Sequence, residues 1–317
     1  MLKTGTSASS PTRVRPWRVR LAGLRHDMTT RQARAGYLFI LPSLVILAVF
    51  VFWPIVQSVI LSLEHWRFGS DSQEWAGLDN YNRLLGDERV WGAFRNTLYY
   101  TALSVPLSLA VPLALALALN RRLPGRALLR SAFFLPVIGS FAIVAIIWTF
   151  LLDPDIGLLS YWLAVMNIPV ANWLRDPTWA MPAVIAVSVW KNLGFNMVIF
   201  LAGLQGISPS YYEAAAIDGA SSWSRFWKIT LPLLRPTALF VLVVSVIGAF
   251  QVFDPVYVMT PHGGPLFSTE TVVTYIYHQG IELVDISYAA SIGVVLFLIV
   301  FALTLLQLRV LRYRDSD

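Results

Sequence analysis

Three polar side chains stand inside an otherwise apolar run, and they are where this chain could do chemistry. In VSVWKNLGFNMVIFLAGLQGI, Asn192 and Asn196 are one helical turn apart, so both amides fall on one face, with Gly203 near the same stripe. An amide pair in a membrane helix faces a partner helix or a wet cavity, because an unsatisfied polar atom is costly in lipid. Lys191 lies near the middle of the same run. A central lysine costs about 2.5–3.5 kcal/mol on insertion scales and needs a partner or water. Three readings follow for it: a cation holding an anionic or hydroxyl-rich solute, a structural ion pair with Asp254 as its candidate partner, or a position nearer the end of the span than the run suggests. Covalent chemistry is not indicated. The sequence has no GxxxxGK[ST] phosphate loop, no HExxH and no GxSxG. Cysteine is absent and the four histidines (His26, His65, His262, His278) are scattered, which argues against a thiol nucleophile, a disulfide framework and a metal site.

The elements that must position those amides are membrane spans. Of 317 residues, 56% are hydrophobic and only 13% charged, a balance expected of a polytopic membrane protein. The net charge of +6 does not point to nucleic acid, because the basic residues fall in short loops between apolar runs. Residues 1–35 carry eight basic residues against Asp27 and read as a disordered basic tail near anionic headgroups. A first span follows over 36–63, too long for a signal-peptide core, with Pro42 and Pro54 inside it. Residues 64–95 are acidic and rich in tryptophan and tyrosine, as suits an extracytoplasmic loop with an interfacial helix. Five more spans lie within 96–308: Asn96 to Leu119, Ser131 to Leu152, Met181 to Leu204, Pro236 to Phe253 and Ser287 to Leu308. Residues 309–317 form a C-terminal tail. With both termini inside, eighteen of the 24 basic residues and five of the 18 acids are cytoplasmic. Inverting the chain would put most of the basic residues outside. The expected fold is therefore all-α, with six spans.

Between the fourth and fifth spans, residues 208–235 form a polar, helix-forming insert. Ser208 or Ser210 can cap a first short helix, and Ser210 with Glu213 has capping-box spacing. Ala214, Ala215 and Ala216 propagate it, and Gly219 can close it in a left-handed C-cap. Ser221 or Ser222 can cap a second helix through Trp223, Phe226, Trp227 and Ile229, which Pro232 is expected to stop. The three alanines leave a bare face against which another protein can pack, and Glu213, Asp218, Arg225 and Lys228 supply charge around it.

EAAAIDGASSWSRFWKITLPL resembles the coupling loop of permease subunits in binding-protein-dependent ABC importers, in which Glu-Ala-Ala, Gly and Ile-x-Leu-Pro recur at fixed spacing. Glu213, Ala214, Ala215, Gly219, Ile229, Leu231 and Pro232 fill those positions. GLDNYNRLLGDERVWGAFRNTLYY, and VMTPHGGP over Val258–Pro265, are further segments similar to sugar-type members. The resemblance implies a six-span permease fold for a sugar or glycerol-3-phosphate-type solute, in a prokaryotic cell membrane. It implies a cytoplasmic coupling helix, with Asp218 and Phe226 beside the seven motif positions. It also implies a second homologous permease, two ATPase subunits that bind ATP and magnesium, and an extracytoplasmic solute-binding protein. No cofactor is expected in this chain, nor any enzymatic activity. By the same resemblance, Trp190, Gly194 and Gln251 join Lys191, Asn192 and Asn196 as candidates for the solute path. Lys191 tilts the solute slightly toward a phosphate, with a neutral oligosaccharide equally open. The rival reading is an ion-gradient transporter, which would need inverted repeats or coupled intramembrane carboxylates; neither is visible.

Overall fold

The computed structural model describes residues 21–66, 74–121, 124–168 and 172–312. The Ser-, Thr- and Pro-rich start of the basic tail and the last five residues lie outside them. The chain divides into two units, Met1–Gln57 and Ser58–Asp317. In the first unit, helix α1 spans Leu21–Leu47 and continues through a π turn, Ala48–Phe52, into the start of α2, Trp53–Ser62, whose last five residues belong to the second unit. Helix therefore begins inside the segment expected to be a disordered tail. Pro42 lies within α1, and the side chains from Tyr37 to Val56 are exposed along the length of the run.

The second unit is helical apart from a two-residue ribbon pairing Glu64 with Trp75 and His65 with Glu74. A short helix α3, Asp79–Gly86, leads to α4, Glu88–Leu119. The second span was expected to begin at Asn96, but its helix starts eight residues earlier because Asp87 caps it. The Asp87 carboxylate accepts from the N–H groups of Arg89 (2.9 Å) and Val90 (3.4 Å). The polar stretch Glu88–Arg95 is thus an amphipathic helix start, with Val90, Ala93 and Phe94 buried.

The third expected span is not one straight helix. It divides into α5, Arg126–Ile138, and α6, Phe141–Leu151, which meet at 101°. Pro136 weakens the end of α5, and Gly139 and Ser140 between the helices are extended, which supplies the break. After α7, Leu158–Val165, comes α8, Ala180–Gln205. This is the central helix: 61% of its most apolar stretch is buried, against 28% for α4. Two short helices follow, α9 (Pro209–Ile217) and α10 (Ser222–Arg225). A π turn, Phe226–Thr230, then leads into α11, Leu231–Leu233.

Helix α12, Arg235–Phe250, leaves this elbow at 65°. The remaining helices are α13 (Asp254–Met259), α14 (Val272–Tyr277) and α15 (Ile286–Arg312). Among the described residues four helices are long and apolar enough to cross a membrane, or six if each bent pair counts as one span.

Polar groups, from buried to exposed, tie α3 and the starts of α4, α14 and α15 together. Tyr275 and Tyr288 both donate to Asp87, at 2.7 and 2.6 Å. Arg89 makes a two-pronged bond to Glu270 (2.7 and 2.8 Å), and Arg83 pairs with Asp285 at 2.7 Å. Burial opposes ionisation of Asp87, but the two phenols and two backbone donors outweigh it and hold the carboxyl below its ordinary value. Asp87→Ala leaves both phenols without an acceptor and should cost about 1–3 kcal/mol, read as a lower unfolding midpoint in detergent. The carboxylate's contribution should be complete above the ordinary aspartate value of about 3.9 and fall away only as pH drops through the lower folded value. A midpoint unchanged by the substitution would contradict this.

Candidate functional site

The elbow is built by local rules. Ser208 caps α9, accepting from the N–H of Ser210 at 3.4 Å, with Pro209 in the first turn where no donor is missed. Ser210 is thereby inside the helix, and the capping box expected between Ser210 and Glu213 is not formed. Gly219 closes the helix at φ +73°, a conformation that strains any other residue. Ser221 caps the second helix, accepting from the N–H of Ser224 at 3.3 Å. The two helices are pinned by Tyr212 Oη against the buried Thr230 Oγ1, 3.1 Å apart.

Pro232 does not stop the second helix. The N–H of Leu231 reaches back to the Phe226 carbonyl, so the backbone widens into a π turn just before the proline ring and carries on to Leu233. Glu213, Ala214, Asp218, Gly219 and Pro232 are exposed; Ala215, Phe226, Ile229 and Leu231 are half-buried. Neither Glu213 nor Asp218 forms an ion pair among the described residues. Ile217 is 88% exposed and Trp223 71%, beside edge-on Trp227. This is an apolar surface edged by Glu213, Asp218, Arg225 and Lys228, and among the described residues none of these four forms an ion pair.

A second feature lies between α4, α8 and α12: a cavity of about 350 Å³. Ser104 and Ser108 from α4, Asn192 and Asn196 from α8, Ser245 from α12 and the following Gln251 give it a neutral, hydrogen-bonding wall. Among the described residues Asp254 is its one carboxylate, and no lysine, arginine or histidine lines it. The Asn196 amide has a definite partner. Pro112 lacks the N–H that would fill the Ser108 carbonyl one turn back, and Asn196 Nδ2 donates to that carbonyl at 3.1 Å. Asn192 Nδ2 donates to Ser188 O within its own helix at 3.2 Å.

The other sequence candidates fall elsewhere. Lys191 does not line the cavity and forms no ion pair with Asp254; its ammonium sits 5.2 Å from the centre of the Phe141 ring. Trp190 packs edge-on against Trp148, 5.3 Å between ring centres. Gly194 is a crossing point, where an added Cβ would stand 2.2 Å from the Phe133 carbonyl oxygen. Gly203 plays the same part against α12, with Thr237 Oγ1 at 2.5 Å from its notional Cβ. Spacing along α8 separated 192 and 196 from 190, 191 and 194, but only the neighbouring helices decide which face is wet.

Residues 110–314 match the family described as binding-protein-dependent transport system inner membrane component. The chain belongs to this family. The permease is 37% identical over 284 residues to the lactose transport system permease protein LacF of Rhizobium radiobacter, covering 88% of this chain and 94% of that one. It is 38% identical over 273 residues to the sn-glycerol-3-phosphate transport system permease protein UgpA of Yersinia pestis, covering 86% and 92%. Among solved structures it resembles a bacterial ABC transporter involved in the import of the acidic polysaccharide alginate. There the TM-score is 0.80 at 25% identity, covering 91% of the permease and 99% of that chain.

The Asn196–Ser108 bond gives a double-mutant test. Asn196→Leu should cost about 1–3 kcal/mol because it leaves the freed carbonyl unfilled. In a Pro112→Ala background the helix can fill that carbonyl itself, so the cost of Asn196→Leu should shrink by about 1 kcal/mol or more in detergent unfolding. Costs that add within about 0.3 kcal/mol would show that the two residues are independent.

Proposed function

We propose that the permease is the six-span subunit of an ATP-driven importer, with both termini and the elbow on the cytoplasmic side. In this reading it imports a carbohydrate or glycerol-phosphate-type solute delivered by an extracytoplasmic binding protein. It pairs with a second, homologous permease, and two ATPase subunits, which bind the ATP and magnesium, receive the elbows. The names of the lactose and glycerol-3-phosphate relatives support the solute class. A related structure is that of the alginate transporter in complex with an alginate pentasaccharide-bound periplasmic protein, matched at a TM-score of 0.78, which supports a binding-protein partner.

The observation that carries the mechanism is the continuity of α8. One buried helix holds Asn192 and Asn196 at the cavity wall and ends at Gln205, three residues before the cap of the elbow. Force applied to Glu213, Ala214, Ala215, Asp218 and the half-buried Phe226, Ile229 and Leu231 passes along that helix to the cavity. Pro232 and Leu234, at the bend into α12, deliver it to the opposite wall. Binding and release are then alternations in how the cavity opens, driven by closure of the ATPases.

Glu213→Arg reverses the exposed charge at the docking face, and Gly219→Trp forces a side chain onto a left-handed backbone. Each should cut solute uptake at least about tenfold, a loss of roughly 1.4 kcal/mol of coupling, while the complex still reaches the membrane and its ATPase still turns over. Full uptake in both variants would contradict the role given to the elbow.

A further inference from the structure

At the end of the cavity away from the elbow, three aromatic rings gather where α12 has ended. Phe253 and Tyr257 are stacked, 5.0 Å apart and 16° from parallel. Tyr277 closes on both, at 5.2 Å from Phe253 and 5.0 Å from Tyr257. The cluster is not core: Tyr257 is 38% exposed, and Phe253 and Tyr277 are half-buried. Phe253 and the exposed Asp254 line the large cavity. Tyr257 lines a second hollow of about 200 Å³ on its other side. Phe253 thus borders the first space, whose wall also holds the amides of α8, Tyr257 borders the second, and Tyr277 packs against both rings.

Carboxylates stand at both spaces. Asp254 borders the first space; Glu270 and Glu282 border the second. Among the described residues Arg89 is the one lysine or arginine lining either space, with His262 and His278 also at the second, and Glu270 already holds Arg89 in two hydrogen bonds. His278 lies 2.7 Å from Glu282. Lys191, the cation that would have favoured a phosphate, lines neither space; its ammonium lies over the ring of Phe141, a lining residue of the first. Flat aromatic faces beside a carboxylate acceptor suit the apolar face and hydroxyl rim of a sugar ring, and they repel a phosphate or uronate.

We infer that Phe253, Tyr257 and Tyr277, with Asp254, form an entry station that stacks an uncharged pyranose ring and disfavours anionic solutes. The inference rests on the transport reading above and narrows its solute class to neutral saccharides. It differs in chemistry from the anionic cargo of the glycerol-3-phosphate and alginate relatives.

Saturation-transfer NMR on the assembled transporter in nanodiscs, without ATP, tests it. The probes are maltose, lactose and trehalose as neutral saccharides, and sn-glycerol 3-phosphate and digalacturonate as anions. At least one neutral sugar should receive ring-proton saturation, which should fall at least fivefold in Tyr257→Ala and Tyr277→Ala and survive in Tyr257→Phe. Asp254→Asn should raise the glycerol 3-phosphate signal relative to the neutral sugar. Stronger transfer to an anion than to every neutral sugar overturns the inference, as does a neutral signal indifferent to Tyr257→Ala and Tyr277→Ala or an unchanged ratio in Asp254→Asn. Unfolding midpoints of the same variants separate lost binding from lost fold. Because the readout needs neither ATP nor uptake, failure of coupling at Glu213 leaves this result intact, and the reverse also holds.

Discussion

In a bilayer, lipid tails are as apolar as leucine, so helices are not driven together by burial; close packing and polar bonds must hold them. In this permease that constraint converges on α8. Gly194 lets its backbone approach the Phe133 carbonyl on α5, and Gly203 admits Thr237 of α12. Asn196 reaches the carbonyl that Pro112 leaves open on α4. Each contact uses a residue that a free-standing helix would not favour. Together they fix one buried helix against three neighbours.

Cavity and elbow both follow from that arrangement. Pro112 makes a polar hole in α4, and the amide that fills it stands at the cavity wall, so the wet face of the bundle is also where its hydrogen bonding is incomplete within single helices. The same helix ends at Gln205, three residues before the Ser208 cap, so the elbow is joined to the most buried of the four candidate spans among the described residues. The lattice of Asp87, Tyr275 and Tyr288 ties the opposite end, leaving the elbow and the cavity between two fixed points.

Much of this was legible in the sequence wherever a local rule governs. The serine caps, the alanine run and the left-handed Gly219 could be read because capping and backbone strain act over four or five residues. The helix start at Glu88 was missed because its polar stretch resembled a loop until Asp87 was seen to cap it. The break at Gly139 and Ser140 was hidden by uniform hydropathy, which measures composition and not direction. Pro232 was read as a stop since sequence shows the missing donor but not the wider turn that accommodates it. Lys191 and Asn192 are neighbours in sequence, yet only Asn192 lines the cavity, while Lys191 lies over the ring of Phe141. Helical phase separates such residues; only tertiary packing says which side holds water.

The central claim is that α8 makes the cavity answer to the elbow. The chain has no cysteine, so a single one at Ser245, on the cavity wall, can report which side the cavity opens to. Labelling by a membrane-impermeant thiol reagent should proceed from one face of the assembled transporter without nucleotide. It should switch to the other face when the ATPases are trapped with ATP and vanadate, and Gly219→Trp should abolish the switch. Labelling from the same face at the same rate in both states would contradict the account.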